Sequence, residues 1–262
     1  MILTNNQRIF LIVLIFYFGI LYPTQCTRFT QQYDDFETIT KKIDGTQIKT
    51  PTSGKWLSDF KYRFLNHEDA DNVQMSSVIP KLKKNESIID AGSHVGDTGL
   101  YLALKAKELN REDVKVIMID PDKSKLEFIK QVAKLNNINN ILLLNYGISD
   151  VSSEGVIDTN NKHPGGWQIK STKNNGTFKI EPLGDIIPQK YSNVGLLHLD
   201  VEGMEHEALV GAKQLIEKTS FLMIELNGIS DRKTTRNLIS RFFKPYSENK
   251  NFHNGNEFFV KK

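Results

Sequence analysis

The chain has 262 residues, with 34 Lys and Arg against 31 Asp and Glu and a formal net charge of +3. That length suits one large domain, and so small a charge argues against a protein that tracks nucleic acid. A single cysteine, Cys26, excludes an intrachain disulfide, and neither an internal repeat nor a zinc-like spacing of Cys and His is present.

The N-terminus is apolar. Ile9–Tyr22 runs almost unbroken between Arg8 and Pro23-Thr-Gln-Cys-Thr27. This is short for a membrane span of about 20 residues, and residues 1–26 read as a signal peptide or an uncleaved signal anchor. A buried core helix is disfavoured, because no polar face interrupts the run. The expected location is the secretory pathway, with the protein membrane-anchored or secreted. Two N-glycosylation acceptors, Asn85-Glu-Ser87 and Asn175-Gly-Thr177, fit a lumenal face. Residues 27–84 are expected to form an N-terminal extension packing on the core. Within it, Gln47–Lys55 reads as a turn-rich break around Pro51-Thr-Ser-Gly54, and Asp69–Lys83 as a helix.

The residues from 85 to 262 read as one catalytic domain. Ile88–Gly99 has the sequence Ile-Ile-Asp-Ala-Gly-Ser-His-Val-Gly-Asp-Thr-Gly. An apolar strand ends at Asp90, a turn carries Gly92 and Gly96, and Leu100, Ala103 and Leu104 then recur at helical spacing. Such a strand, glycine turn and helix hold a nucleoside-bearing cofactor, with helix N–H groups facing a carboxylate or phosphate. The next apolar strand, Val114–Ile119, ends in Asp120, which can accept both ribose hydroxyls. A dinucleotide fingerprint needs glycine at positions 94 and 97, where this chain has His94 and Asp97. An acid beside a pyrophosphate is repelled. S-adenosylmethionine carries no phosphate, only an amino acid head and a sulfonium cation, so Asp97 is tolerable there. A plain capping role for Asp97 is the simpler alternative.

Further along, Lys123–Lys134 reads as a helix with a solvated lysine face, and Ile141–Leu144 as a strand. Lys162–Gln168 reads as a loop in which Gly166 and Trp167 are candidate substrate contacts, Trp167 offering a flat apolar face. The alternative is a tryptophan anchoring the loop to the core. Gly195–Asp200 is a buried strand, and Ala208, Leu209, Ala212, Leu215 and Ile216 mark one helical face. Phe221–Leu226 is a strand, Asp231–Phe243 a helix and Glu257–Lys261 a final strand. Asp90, Asp120, Asp200, Glu202 and Glu225 all fall at or just past strand ends, where ligands of such sheets bind.

From Ile88 to Leu226 the chain resembles the FkbM family of S-adenosylmethionine-dependent methyltransferases. Four stretches carry the resemblance: Asp90-Ala-Gly-Ser-His-Val-Gly-Asp97; Asp120-Pro-Asp with its helix ending Leu135-Asn136; Gly147-Ile-Ser-Asp150; and Leu199-Asp-Val-Glu-Gly-Met-Glu205. The chain departs from the family pattern at His94, where Asn is common, at Asp120, where Glu is common, and at His198, where Lys is common. A Leu-Asp pair common in the family is split here as Leu183-Gly184-Asp185. The resemblance implies a Rossmann-like class I fold, a mostly parallel α/β sheet flanked by helices with an antiparallel last strand. It implies S-adenosylmethionine as cofactor, held by Asp90, Gly92, Ser93, His94, Gly96, Asp97, Asp120, Ser149 and Asp150.

Methyl transfer from a sulfonium needs an acceptor held in line and a base to take its proton. Asp200, Glu202 and His206 are the candidate catalytic residues, and Glu202 can alternatively cap the following helix. Asp200 with Glu225 can instead hold a divalent ion, but no dense carboxylate cluster is visible in the sequence and no metal is assigned. The expected acceptor is a hydroxyl on a small molecule or glycan, with no nucleic acid partner and with the N-terminal segment as a membrane anchor. The rival readings are a binding module that keeps the cofactor fold without catalysis and a nicotinamide-dependent oxidoreductase.

Overall fold

The structure, a computed structural model, describes residues 35–66, 69–160, 166–173, 175–226, 232–246 and 255–262. The apolar segment read as a signal or anchor, and residues 162–165 of the expected substrate loop, lie outside them. No helix among the described residues is long and apolar enough to cross a membrane.

Phe36–Thr40 (β1) and Gln47–Pro51 (β2) form an antiparallel hairpin. The expected break over Gln47–Lys55 is thus a strand in its first half, because Ile48 and Thr50 are buried while Lys49 between them is exposed. Leu57–Asn66 (α1) and Asp69–Ser76 (α2) follow. The helix expected over Asp69–Lys83 stops at Ser76, and a short 3-10 turn at Ile79–Lys81, with proline in its first positions, takes the chain onward. Helix α1 buries Leu57, Phe60 and Phe64, which share one apolar cluster with Val95, Leu100, Phe128 and Ile129.

Ser87–Ala91 (β3) leads into Asp97–Glu108 (α3), then Val116–Ile119 (β4), Lys123–Leu135 (α4) and Ile141–Leu144 (β5). Four short strands come next: Gly147–Ser149 (β6), Ser153–Asp158 (β7), Gln168–Thr172 (β8) and Phe178–Pro182 (β9). After a helical turn at Leu183–Ile186 (α5) come Val194–Leu199 (β10), Glu205–Gly211 (α6), Lys213–Ile216 (α7) and Phe221–Glu225 (β11). Arg232–Phe242 (α8), Phe243–Pro245 (β12) and Asn256–Lys261 (β13) complete the described chain.

The main sheet has seven strands in the order β12-β13-β11-β10-β3-β4-β5. The five from β5 to β11 run parallel, and β13 enters antiparallel between β11 and β12. This is the Rossmann-like class I arrangement implied by the sequence, with its reversed last strand. Successive residues of the central strands feed different cores: Ile88, Met118 and Leu196 join one cluster, while Ile89, Ile117 and Leu197 join the other. Burial on both faces explains why these strands read as unbroken apolar runs. Strand order reverses between β3 and β10, which opens a crevice beyond their carboxyl ends.

The second sheet, in the order β6-β9-β7-β8, is absent from the sequence reading. Its strands are short and mostly half-exposed, with buried alternation clear only at Phe178 and Ile180 of β9.

Phe60 is fully buried, with its ring 5.6 Å from that of Phe64 and 5.5 Å from that of Phe128 on α4. Phe60→Ala is expected to cost about 3–5 kcal/mol in urea unfolding, as for an aromatic removed from a continuous core. A loss near zero would mean that α1 packs as a detachable layer.

Candidate active site

The crevice is built around one close approach. Gly92 sits at φ +85°, and a Cβ placed on it would lie 1.7 Å from the carbonyl oxygen of Asp200. No side chain fits there, so glycine is required both by conformation and by space. The N–H groups of Gly92 and Ser93 donate to the carbonyl of Ile119, each at 3.0 Å. The His94 N–H donates to Asp120 Oδ2 at 3.0 Å, and the Asp122 N–H to Asp120 Oδ1 at 2.8 Å. Asp120 therefore braces the glycine turn as well as facing the crevice. Its burial raises the carboxyl to about 6, against the pull of Lys125, whose Nζ is 3.9 Å from Oδ2.

His94 joins this turn to α1. Its Nε2 lies 2.6 Å from Asp59 Oδ2, and Arg63 Nε donates to Asp59 Oδ1 at 3.3 Å. Burial depresses the His94 pKa to about 4, with Asp59 opposing the shift and Lys125 and Arg63 adding to it. The imidazole is therefore neutral at pH 7, and the contact with Asp59 assigns its proton to Nε2. Trp56 packs edge-on against His94 and Trp167, with ring centroids 6.2 Å apart in both cases, and its indole N–H donates to Ser124 Oγ at 3.0 Å.

Lys125 corrects the reading of Lys123–Lys134 as a solvated face. It is 5% exposed, with Nζ 5.6 and 5.5 Å from the Trp56 and Trp167 rings. Its ammonium pKa is lowered, chiefly by burial. Phe128, Ile129 and Val132 are buried on the same helix face. Lys125 stands at i−3, i−4 and i−7 from these three, so helical periodicity carried the signal that lysine chemistry masked.

On the other strand ends, single oxygens of Asp200, Glu202 and Glu225 lie within 4.8 Å of one another. The pairing of Asp200 with Glu225 considered from the sequence is present, and Glu202 joins it to make the dense cluster that the sequence alone does not display. It is the one such group among the described residues with the spacing to hold a metal ion. Glu202 sits at φ +54°. The positive-φ residues other than glycine among the described residues are Asn in four cases, and the two exceptions, His94 and Glu202, both wall the crevice. Burial, and then the charges of Asp200 and Glu205, push Glu202 up to about 7. Burial also holds Glu225 well above the carboxylate range, and a hydrogen bond with Asp200 adds to the effect, so this pair retains a proton at neutral pH. Glu205, fully buried, accepts the Val201 and Gly203 N–H groups on Oε1, each at 3.1 Å, and so shapes the turn that presents Glu202.

A cavity brings together Gly92, His94, Asp120, Lys125, Trp167, Asp200 and Glu202, with Ile119, Ile148, Ile157 and Ile169 as apolar wall. A smaller recess adjoins it through Gly92, His94 and Asp200, and adds Asp90, Ser93 and Asp97. Ser93 Oγ and Asp90 Oδ2 are buried there without a hydrogen-bond partner among the described residues. Asp90 Oδ1 meets His198 Nδ1 at 2.7 Å.

The remaining expected residues are placed elsewhere. Gly96 caps α3 and is outside both linings. Ser149 Oγ donates to Asp150 Oδ1 at 3.1 Å, and neither the buried Ser149 nor the exposed Asp150 lines the cavity or recess. Gly166 precedes Trp167 without lining the cavity. His206 also lines neither space; its Nδ1 meets Thr235 Oγ1 of α8 at 3.2 Å. Sequence reading missed Asp59, Arg63 and Lys125 at the site, as well as Trp56 behind it.

Residues 90–252 match the methyltransferase FkbM domain. The chain belongs to this family. Among solved structures, a methyltransferase from Geobacter sulfurreducens is 12% identical, covering 81% of this chain and 93% of its own, with a TM-score of 0.45. A precorrin-6y C5,15-methyltransferase from Geobacter metallireducens is 11% identical, covering 73% and 88%, with a TM-score of 0.42. TrmK from M. capricolum, in complex with S-adenosylhomocysteine, is 13% identical, covering 72% and 68%, with a TM-score of 0.41. No curated protein sequence matches the chain.

The cofactor of this FkbM methyltransferase is S-adenosylmethionine, and the site fits it. The isoleucine wall suits an adenine, Asp120 a ribose, and the recess with its unsatisfied Ser93 and Asp90 oxygens a zwitterionic head. Asp120→Ala is expected to weaken S-adenosylhomocysteine binding by about tenfold or more in calorimetry. It is also expected to lower the melting temperature, because two backbone N–H groups lose their acceptor. Unchanged affinity would refute the ribose role.

Proposed function

We propose that this FkbM methyltransferase methylates a hydroxyl oxygen on a small polar acceptor of the carbohydrate type, with Glu202 as the base. The observation that carries this reading is the placement of Glu202, raised to about 7, on the cavity that also holds Gly92, Asp120 and Trp167. A base titrating near the working pH combines a useful fraction of carboxylate with a useful proton affinity. The bound cofactor supplies an electrophilic methyl carbon. The protein's own part is to hold the acceptor oxygen in line and to receive its proton on Glu202. Glu225, protonated and bonded to Asp200, keeps Asp200 hydrogen-bonded beside Glu202 and limits the repulsion among the three carboxyl groups.

The acceptor class is supported by two features. Trp167 offers a flat apolar face on the cavity, and the carboxyl groups of Asp200 and Glu202 offer acceptors for several hydroxyls. The apolar run Ile9–Tyr22 supports an acceptor met in the secretory pathway. Asn85 and Asn175, the two glycosylation acceptors, are both exposed at positive φ.

The test is transfer of labelled methyl from S-adenosylmethionine to a panel of glycans and lipids. Label on a sugar hydroxyl is the expected result. Cofactor binding with no transfer to any acceptor would favour a binding module that has lost catalysis. Glu202→Gln is expected to lower kcat by about 10²–10⁴-fold while cofactor affinity stays within about threefold. In the parent enzyme the rate should rise with pH through about 7, as the raised Glu202 carboxyl loses its proton, and this limb should vanish in Glu202→Gln. Persistence of the limb would move the base elsewhere.

A further inference from the structure

We propose that Arg63 of α1, which lies outside the matched family domain, receives the carboxylate of the cofactor's amino acid head. The recess beside Gly92 is rich in acids, with Asp90, Asp97 and Asp200 among its lining residues. Those groups suit the α-ammonium of the head and repel its α-carboxylate. The carboxylate needs donors at the other end of the head, and a guanidinium there adds opposite charge to the N–H groups of the turn.

Among the described lining residues Arg63 is the one permanent cation. His94 is neutral, and His198 is turned onto Asp90. Asp59 holds Arg63 through Nε, and the same carboxylate grips His94. Arg63 is thereby anchored to the glycine turn instead of sampling solvent, and its side chain is 21% exposed. The buried Ser93 hydroxyl, 4% exposed with no hydrogen-bond partner among the described residues, lines the same recess and supplies a second donor of the kind a carboxylate accepts. The consequence is that cofactor binding requires chain N-terminal to the glycine turn.

The experiment compares two ligands on the full chain by calorimetry. S-adenosylhomocysteine carries the amino acid head, and 5′-methylthioadenosine carries the nucleoside and thioether without it. Arg63→Gln is expected to weaken the first by about 10–100-fold, the effect of losing a charge-assisted hydrogen bond, and to leave the second unchanged within about twofold. Arg63→Lys should recover part of the loss by restoring the charge without the planar fork. Equal weakening of both ligands would mean that Arg63 only supports the fold, and unchanged binding of both would place it on the acceptor side. Either result overturns the proposal. If the parent protein binds neither ligand, the cofactor assignment falls and this proposal with it.

Discussion

The site depends on the contact between Gly92 and the backbone of Asp200. The carbonyl oxygen of Asp200 occupies the space in which a side chain on Gly92 would begin. This lets the carboxyl ends of β3 and β10, adjacent in the sheet, converge on one ligand. From one end the turn delivers Ser93, His94 and Asp97. From the other come Asp200 and Glu202. A single methyl group at position 92 would push these sets apart, and no repacking of side chains relieves a clash with main chain.

Charge at the site is arranged as two connected systems. On one side a chain of contacts runs from Arg63 through Asp59, His94 and Asp120 to Lys125, with a cation at each end and, in the middle, a histidine that meets Asp59 through its neutral ring and Asp120 through its backbone N–H. On the other, Asp200, Glu202 and Glu225 crowd together and relieve their repulsion by keeping a proton. The first system holds the turn and α1 in place, and the second leaves a carboxyl that titrates near neutrality. Burial shifts His94, Asp120, Lys125, Glu202 and Glu225 toward their neutral forms, whereas at Asp59 the hydrogen bonds and charges of His94 and Arg63 outweigh burial and keep the carboxyl charged.

The parallel sheet was legible because its strands are buried on both faces and read as apolar runs ending in acids. The glycine turn, Asp120 and the Asp200–Glu205 segment followed from the same pattern. The small second sheet was not, since one strand has only three residues and the others, of five or six, are half-exposed, which leaves too few positions for alternation to show. Asp59 and Arg63 read as an ordinary i,i+4 ion pair beside the buried stripe of Leu57, Phe60 and Phe64, and nothing local marks them as facing a ligand. Lys125 was misread by its type although its spacing placed it on the buried face. Glu225 was seen as a strand-end acid, but its meeting with Glu202 is a tertiary fact. His206, on the same helix as the well-placed Glu205, turns instead toward Thr235.

The two tryptophans have a consequence for how such an enzyme diversifies. Trp56 comes from the segment leading into α1 and Trp167 from the start of β8, so the aromatic side of the cavity is assembled from chain that contributes nothing to the parallel sheet. The parallel strand ends and the aromatic wall are therefore carried by different stretches of chain. Substitutions in these flanking segments can reshape what is methylated while the strand ends beneath keep the geometry of the methyl donor, which gives the scaffold room to acquire new acceptors without first losing its chemistry.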